Sequence, residues 1–410
     1  MTTPERAGST PAWVWPLVAT LAMQTASAFL GRLVPTIAPV LTAATGLPEE
    51  SIGYLAALST VGSMAFLMIG HPLIRRYGPV RTLQAGMLLG GLGVLMLAAP
   101  HWGWVLLASV VLGLGYGPSA PAGSDILLRH APAAHRTLIF SLKQAGVPMA
   151  GVMAGLSLPW LVERMDWRLA LALVSLLPLA TALAVQPIRA SVDAGRDPGQ
   201  PVNAGHLFSP ATMLGPLRMM LASPVLRRLT AAGCCFSIGQ GSVVAFLVTY
   251  LVHRLGLDLV QAGAIFAVLQ ATGIVGRIAL GWLSDRWGSG LRTLFINAVA
   301  ACLTVAAMAM TTPDWSFTAL VVLAGIAGVT VTSWNGVHLA EIARLSPAGR
   351  VSEATSGATL VTFAGYVIGP AGFAVVLALT DSYPATFMVV AACCLVGIAS
   401  LWRLDRLAGA

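Results

Sequence analysis

Stretches of about 20 consecutive, mostly apolar residues recur along this chain, separated by short turns rich in Gly, Pro and Arg. A run of that length has one natural solvent. A hydrocarbon core holds no water to bond the backbone, so every N–H and C=O must be paired within the protein, as in a helix or a closed barrel. Barrel strands alternate apolar and polar residues, whereas these runs are unbroken, and ~20 helical residues cross a ~30 Å hydrocarbon layer. Composition agrees. Residues of hydrophobic type make up 57% and charged residues 9%, against roughly 25% charged in an ordinary soluble domain. Too few polar groups exist to cover a water-facing surface, so the fold class is an all-α membrane protein.

Apolar runs read against turn signals predict twelve transmembrane helices, at 13–41, 51–73, 82–99, 103–127, 138–161, 168–187, 229–252, 259–283, 293–311, 315–341, 352–379 and 385–402. The longest polar interruption, 189–227, falls near the middle and is rich in Gly, Pro and Asp between residues 194 and 206. That is a linker composition. It divides the chain into a six-helix bundle at 1–188, a cytoplasmic linker at 189–227 and a second six-helix bundle at 228–410.

Basic residues set the expected orientation. With both termini cytoplasmic, seventeen of the 23 Lys and Arg lie on that side, among them Arg6, Arg75, Arg76, Arg81, Arg129, Arg136, Arg218, Arg286, Arg292, Arg350, Arg403 and Arg406. Three, Arg164, Arg168 and Arg254, lie outside. Basic loops facing an anionic inner leaflet account for the net charge of +8 without nucleic acid as a partner. The apolar run from Ala12 onward is too long for the core of a signal peptide, so no cleavable signal is expected. Short loops and this start point to a multi-pass protein of the cell inner (plasma) membrane.

The halves resemble each other. Arg76-Tyr77-Gly78-Pro79-Val80-Arg81 follows the second run, and Arg286-Trp287-Gly288-Ser289-Gly290-Leu291-Arg292 follows the eighth. Arg129-His130-Ala131-Pro132 follows the fourth, and Arg344-Leu345-Ser346-Pro347 the tenth. The fifth and eleventh runs both carry Gly/Pro clusters, Gly146, Pro148, Gly151 and Gly155 against Gly365, Gly369, Pro370 and Gly372. Three matches in one order argue for duplication, hence two pseudo-symmetric bundles.

The loop Gly281-Trp282-Leu283-Ser284-Asp285-Arg286-Trp287-Gly288 resembles the signature loop of the major facilitator superfamily in its second-half copy, and the Gly/Pro pattern of the fifth run resembles that superfamily's motif there. The resemblance implies a secondary active transporter, with a central cavity between the halves lined by the first, fifth and eighth helices. It implies gating roles for Gly281, Asp285, Arg286 and Gly288, with Asp285 latching the halves on the cytoplasmic side in the outward-open state. The first-half copy departs from the pattern, with Arg75 at the aspartate position and His71 at the leading glycine position.

Three charges fall inside spans: Arg32, Arg277 and Lys143, the chain's single lysine. A charge at that depth costs roughly 2.5–3.5 kcal/mol on insertion scales and marks a functional site by default. The acids nearest in depth, Asp125, Glu341 and Glu353, sit at cytoplasmic helix ends, so the compensating charge for Arg32 and Arg277 is expected to come from an anionic substrate. A carboxylate would accept a bidentate fork from either guanidinium. Arg277 also stands four residues before Gly281, where monocarboxylate transporters and oxalate/formate antiporters carry a substrate-binding arginine. In the monocarboxylate transporters an aspartate one turn earlier takes part in proton coupling; here that position is Gly273.

Alternatives stand beside each assignment. Arg277 could pair with Asp285 or reach the inner interface, and Lys143 could snorkel or pair with Asp125. Gln144, Gln240, Gln270, Trp334 and Asn335 are polar residues within spans, placed to touch substrate or to clamp helices together. Trp334 and Asn335 would stack on and hydrogen-bond a planar ligand. His338 is the candidate coupling group, since an ordinary imidazole changes charge near pH ~6.5. No nucleotide-binding loop, metal-ligand cluster or nucleophile arrangement is present in the sequence, so neither enzymatic activity nor a cofactor is expected. The five cysteines lie in apolar runs as small packing residues.

The sequence therefore implies a transporter of a small organic anion, with protons as a candidate co-substrate. Rival readings are an exporter of neutral or lipophilic compounds and a membrane sensor built on a transporter fold.

Overall fold

The computed structural model describes residues 13–99, 101–130, 132, 139, 142–207, 217, 220–221, 223–347 and 351–408. Arg6, Arg136, Arg218 and Arg350 fall outside the described residues, as do the side chains of Glu353, Arg403 and Arg406. Twelve described helices are long and apolar enough to cross a membrane: α1 (Val14–Thr36), α2 (Ser51–Tyr77), α3 (Pro79–Leu97), α4 (Trp102–Leu127), α5 (Leu142–Arg164), α6 (Trp167–Gly195), α7 (Pro224–His253), α8 (Leu259–Trp287), α9 (Gly290–Ala309), α10 (Phe317–Leu345), α11 (Ala354–Thr380) and α12 (Tyr383–Trp402). They form two six-helix bundles. Helices α2, α6, α7 and α8 run beyond the ends read from hydropathy, because a helix keeps its hydrogen bonds after it leaves the hydrocarbon. Thus α6 continues to Gly195 and α7 begins at Pro224.

Local chemistry starts and stops these helices. Asp258, Ser289 and Ser316 cap α8, α9 and α10 by accepting from the backbone N–H of Gln261, Arg292 and Ala319. The turns α2–α3 and α8–α9 pivot on Gly78 (φ 92°) and Gly288 (φ 62°), a backbone region that disfavours side chains. The two turns sit at corresponding places in the duplicated halves.

The fourth helix of each half is interrupted. In α4 the break falls at Gly117–Pro118, between Trp102–Tyr116 and Ser119–His130. Proline has no N–H to continue the ladder. In α10 the break is Thr332-Ser333-Trp334, between Phe317–Val331 and Asn335–Leu345. Broken backbone at membrane depth is tolerated only where protein or a cavity satisfies it.

The halves meet near the face opposite the start of α1 and the end of α12, the far face. Glu49, between α1 and α2, accepts from the Tyr383 hydroxyl at 3.0 Å and lies 3.8 Å from His253, both in the second half. Backbones touch where glycine removes the obstacle: a Cβ on Gly53 of α2 would overlap the Pro370 carbonyl of α11, and one on Gly155 of α5 would lie 2.6 Å from the Gly263 carbonyl of α8. On the basic face, where α1 starts and α12 ends, the signature loop stands free. Asp285 and Arg286 are exposed, and a Cβ on Gly281 or Gly288 would meet nothing within 4 Å.

The first-half counterpart of that loop is held differently. Asp193, at the end of α6, accepts from the backbone N–H of Val80 (2.9 Å) and Arg81 (3.1 Å), capping α3 from another helix. Asp197 donates its N–H to the Arg75 carbonyl and pairs with the Arg75 guanidinium at 3.5 Å. Arg76 donates to the Gln200 carbonyl at 2.9 Å. The linker thus supplies the carboxylates that the first-half motif lacks. Replacing Asp193 by alanine removes a cap and orphans two donors, the buried Val80 N–H and the part-buried Arg81 N–H. We expect a loss of about 1–2 kcal/mol, seen as a lower thermal-unfolding midpoint, with Asp193→Asn retaining most of the stability.

Candidate functional site

Four polar side chains from four helices and both halves converge mid-membrane. Arg32 of α1 and Tyr116 of α4 come from the first half, Arg277 of α8 and Tyr366 of α11 from the second. Both guanidiniums lie within electrostatic reach of both tyrosines and of each other. All four are half-buried rather than sealed, with Tyr116, Arg277 and Tyr366 deep within their spans and Arg32 one turn from the end of α1, so they border open space. Among the described residues no carboxylate pairs with either arginine.

Arg277 is held by the break in α10. Its Nε and Nη2 both donate to the Thr332 carbonyl at 3.4 Å, and its Nη1 to the Gln144 carbonyl of α5 at 3.5 Å. The Gln144 contact crosses between the halves. The expected alternatives for Arg277 are therefore replaced: the Asp285 carboxylate has no hydrogen-bond or ion-pair partner among the described residues, and Arg277 does not pair with it but turns to the Thr332 and Gln144 carbonyls. These bonds are long, so the guanidinium is lightly tethered.

Gly273 packs in the same place. A Cβ there would overlap the Thr332 hydroxyl, so this position has no room for the aspartate of the monocarboxylate transporters. Proton coupling by that residue is absent from this chain.

Lys143 is 1% exposed. Its Nζ donates to the Ser119 and Ala120 carbonyls, at 3.1 and 3.4 Å, just past the break in α4. Asp125, its suggested partner, is instead gripped by Arg129 through bonds of 3.1 and 2.7 Å one helical turn away. Gln144 is exposed, and its Oε1 accepts from Gln24 at 3.1 Å.

Trp334 and Gln240 need correction. Trp334 is wholly buried, stacked on Phe236 at 5.2 Å between ring centroids, and its Nε1 donates to Gln240 Oε1 at 2.9 Å. It is not placed to stack on a ligand, because the ring has no exposed surface and packs on Phe236 and His338 inside the second half. Gln240 Oε1 also accepts from the Tyr366 hydroxyl at 2.8 Å, and Asn335 donates to the Tyr366 oxygen at 3.5 Å. Trp334, Gln240 and Asn335 thus form the frame that holds Tyr366. Gln270 is buried against Gly151 in the α5–α8 seam. His338 is also fully buried, pressed on Gly233 with Nε2 at 3.1 Å from the Leu229 carbonyl, behind Trp334. Its ring has no exposed surface from which to exchange a proton with substrate. Arg286 lies over the Trp282 ring at 5.5 Å.

Tyr116 and Tyr366 were not legible as site residues, since a tyrosine in an apolar run carries no charge to mark it. Among the described residues no cluster of His, Cys, Asp and Glu could hold a metal ion, and all five cysteines are free thiols.

The tight fit at Gly273 makes a quantitative expectation. Gly273→Ala should cost about 1–3 kcal/mol by overpacking, read as a lower unfolding midpoint. Adding Thr332→Ala, which removes the clashing hydroxyl, should restore most of it in a double-mutant cycle.

Residues 17–341 match the family profile described as Major Facilitator Superfamily. An uncharacterised MFS-type transporter of Mycobacterium tuberculosis is 26% identical over 320 residues, 78% of this chain and 69% of that protein. Rat monocarboxylate transporter 13 is 25% identical over 360 residues, covering 87% and 80%. The 4-hydroxybenzoate transporter PcaK of Pseudomonas aeruginosa is 25% identical over 296 residues, covering 65% and 66%. Among solved structures, an inward-facing bacterial homologue of the human lysosomal transporter Spinster superposes with a TM-score of 0.77 at 16% identity, over 97% of this chain and 98% of that one. With twelve spans in two bundles, the signature loop after α8 and a profile match over most of its length, this chain belongs to the major facilitator superfamily and is a membrane transporter, not an enzyme.

Proposed function

We propose that this transporter carries a small organic anion, a carboxylate, which binds between Arg32 and Arg277. The observation that carries the reading is that two guanidiniums from opposite halves border one mid-membrane space with no carboxylate paired to either among the described residues. A bound carboxylate would offer each a charge-assisted bond stronger than the long carbonyl contacts that hold Arg277 now. Relatives named for monocarboxylate and 4-hydroxybenzoate transport support the class.

Transport would proceed by rocking residues 1–188 against 228–410 about this site, with the linker 189–227 and both termini on the cytoplasmic face of a cell inner membrane. With that orientation, the arrangement of contacts, closed at the far face and free at the signature loop, would be that of a carrier open to the cytoplasm. Asp285 and its loop would engage only after the halves rock. Substrate also lowers the barrier to rocking. At an effective dielectric constant of ~20, two like charges ~6–8 Å apart repel by about 2–3 kcal/mol. A bound anion removes that repulsion, so the loaded carrier turns over faster than the empty one, which favours exchange kinetics.

The test is ligand-dependent stabilisation of purified protein, followed by uptake into liposomes. A carboxylate at 100 times its dissociation constant should stabilise the folded state by about 2.7 kcal/mol. Arg277→Gln and Arg32→Gln should each abolish that shift and the uptake, while chromatography shows them folded. Undiminished uptake by Arg277→Gln would overturn the proposal. Equal responses of wild type and both variants to lipophilic compounds alone would establish the exporter instead, and binding without uptake the sensor.

A further inference from the structure

Hydrogen-bond bookkeeping around Tyr366 fixes what its hydroxyl can do. An indole N–H only donates, so the Gln240 atom 2.9 Å from Trp334 Nε1 is the amide oxygen. That oxygen only accepts. The Tyr366 hydroxyl, 2.8 Å from the same atom, must therefore spend its single proton on Gln240. Burial of Trp334 between Phe236 and His338 prevents the amide from flipping, because a flipped NH2 would face the indole N–H. What Tyr366 presents to the cavity is an oxygen with lone pairs and no proton. Asn335 reaches that oxygen only at 3.5 Å, too long to saturate it.

An oxygen that can only accept is ill-suited to a carboxylate and well-suited to a donor. The nearby guanidiniums lie within electrostatic reach of that oxygen. Once they turn to a bound carboxylate, the Tyr366 oxygen needs a donor or is left unsatisfied in a low-dielectric site. An ammonium is disfavoured there by Arg32 and Arg277, so the donor is neutral. We propose that Tyr366 is a specificity-determining residue whose oxygen accepts from a hydroxyl on the substrate, so that the site selects hydroxylated carboxylates over their plain counterparts. This rests on the carboxylate reading above. Tyr116 serves as the internal contrast: among the described residues its hydroxyl has no such frame, so it would be free to rotate and donate to the carboxylate itself without discriminating.

The experiment measures dissociation constants of the purified full-length protein for two matched pairs, 4-hydroxybenzoate with benzoate and lactate with propionate. At least one hydroxylated member should bind roughly 10–100-fold more tightly than its partner. Tyr366→Phe should bring that ratio close to one with little change for the plain acid. Tyr116→Phe should weaken both members alike. If neither member of either pair binds, the carboxylate reading fails. If plain and hydroxylated acids bind equally to wild type, or the ratio survives Tyr366→Phe, the carboxylate reading stands and the role given to Tyr366 falls. Should Tyr366→Phe not fold, Gln240→Leu provides the second arm: it frees the Tyr366 proton to donate, so the preference must shrink, and an unchanged ratio overturns the proposal.

Discussion

Two guanidinium charges kept inside an apolar protein, with no acid paired to them among the described residues, set the terms for everything around them. An isolated charge at this depth is costly, so each arginine needs open space, a dipole or an anion. Arg32 and Arg277 border open space. Arg277 also takes the backbone carbonyls of Thr332 and Gln144. Two tyrosines complete the polar lining, and one of them is immobilised by a second tier of Gln240, Trp334 and Asn335. The surrounding helices are apolar, and this small polar centre is what they enclose.

The duplication repeats more than a loop. In each half the fourth helix is broken, at Gly117–Pro118 in α4 and at 332–334 in α10. In each case a cation from a neighbouring helix donates to carbonyls at or beside the break, Lys143 in the first half and Arg277 in the second. The cations come from helices that are not equivalent, α5 and α8, so the halves reached the same arrangement with different residues. A break of this kind leaves carbonyls that lipid cannot satisfy, and a buried cation lacks a counter-charge; each supplies what the other lacks. The two halves differ at the basic face. Asp285 projects from the second-half loop, whereas linker residues Asp193 and Asp197 fasten the first-half loop in place.

Much of this was legible in the residues themselves, for identifiable reasons. Arg32, Arg277 and Lys143 stood out because charge within an apolar run is rare and expensive, and the structure puts both arginines at the open mid-membrane space. Trp334, Gln240 and Gln270 could not be sorted the same way. A polar side chain on a helix is compatible with facing a cavity or a neighbouring helix, and only packing shows that Trp334 lies flat on Phe236 while Gln270 fills the space over Gly151. His338 has the chemistry of a proton carrier and the position of a core residue. Tyr116 and Tyr366 gave no signal at all, because hydropathy treats a tyrosine among leucines and valines as ordinary.

What the sequence by itself determined is whatever depends on local and additive physics. Run length decides that helices span a bilayer, charge counts decide which loops stay on one side, and the repeated Arg-Gly turns disclose two like halves. What only tertiary structure decided is whatever depends on which side of a helix meets which neighbour. That includes the meeting of Arg32 with Arg277, the frame that holds Tyr366 as an acceptor, the closed seam at Gly155 and Gly263, and the linker carboxylates beneath α3. Rotating one helix by ~100°, a single residue's step, would keep its hydropathy and lose these contacts. Composition is indifferent to that rotation; close packing between the helices is not.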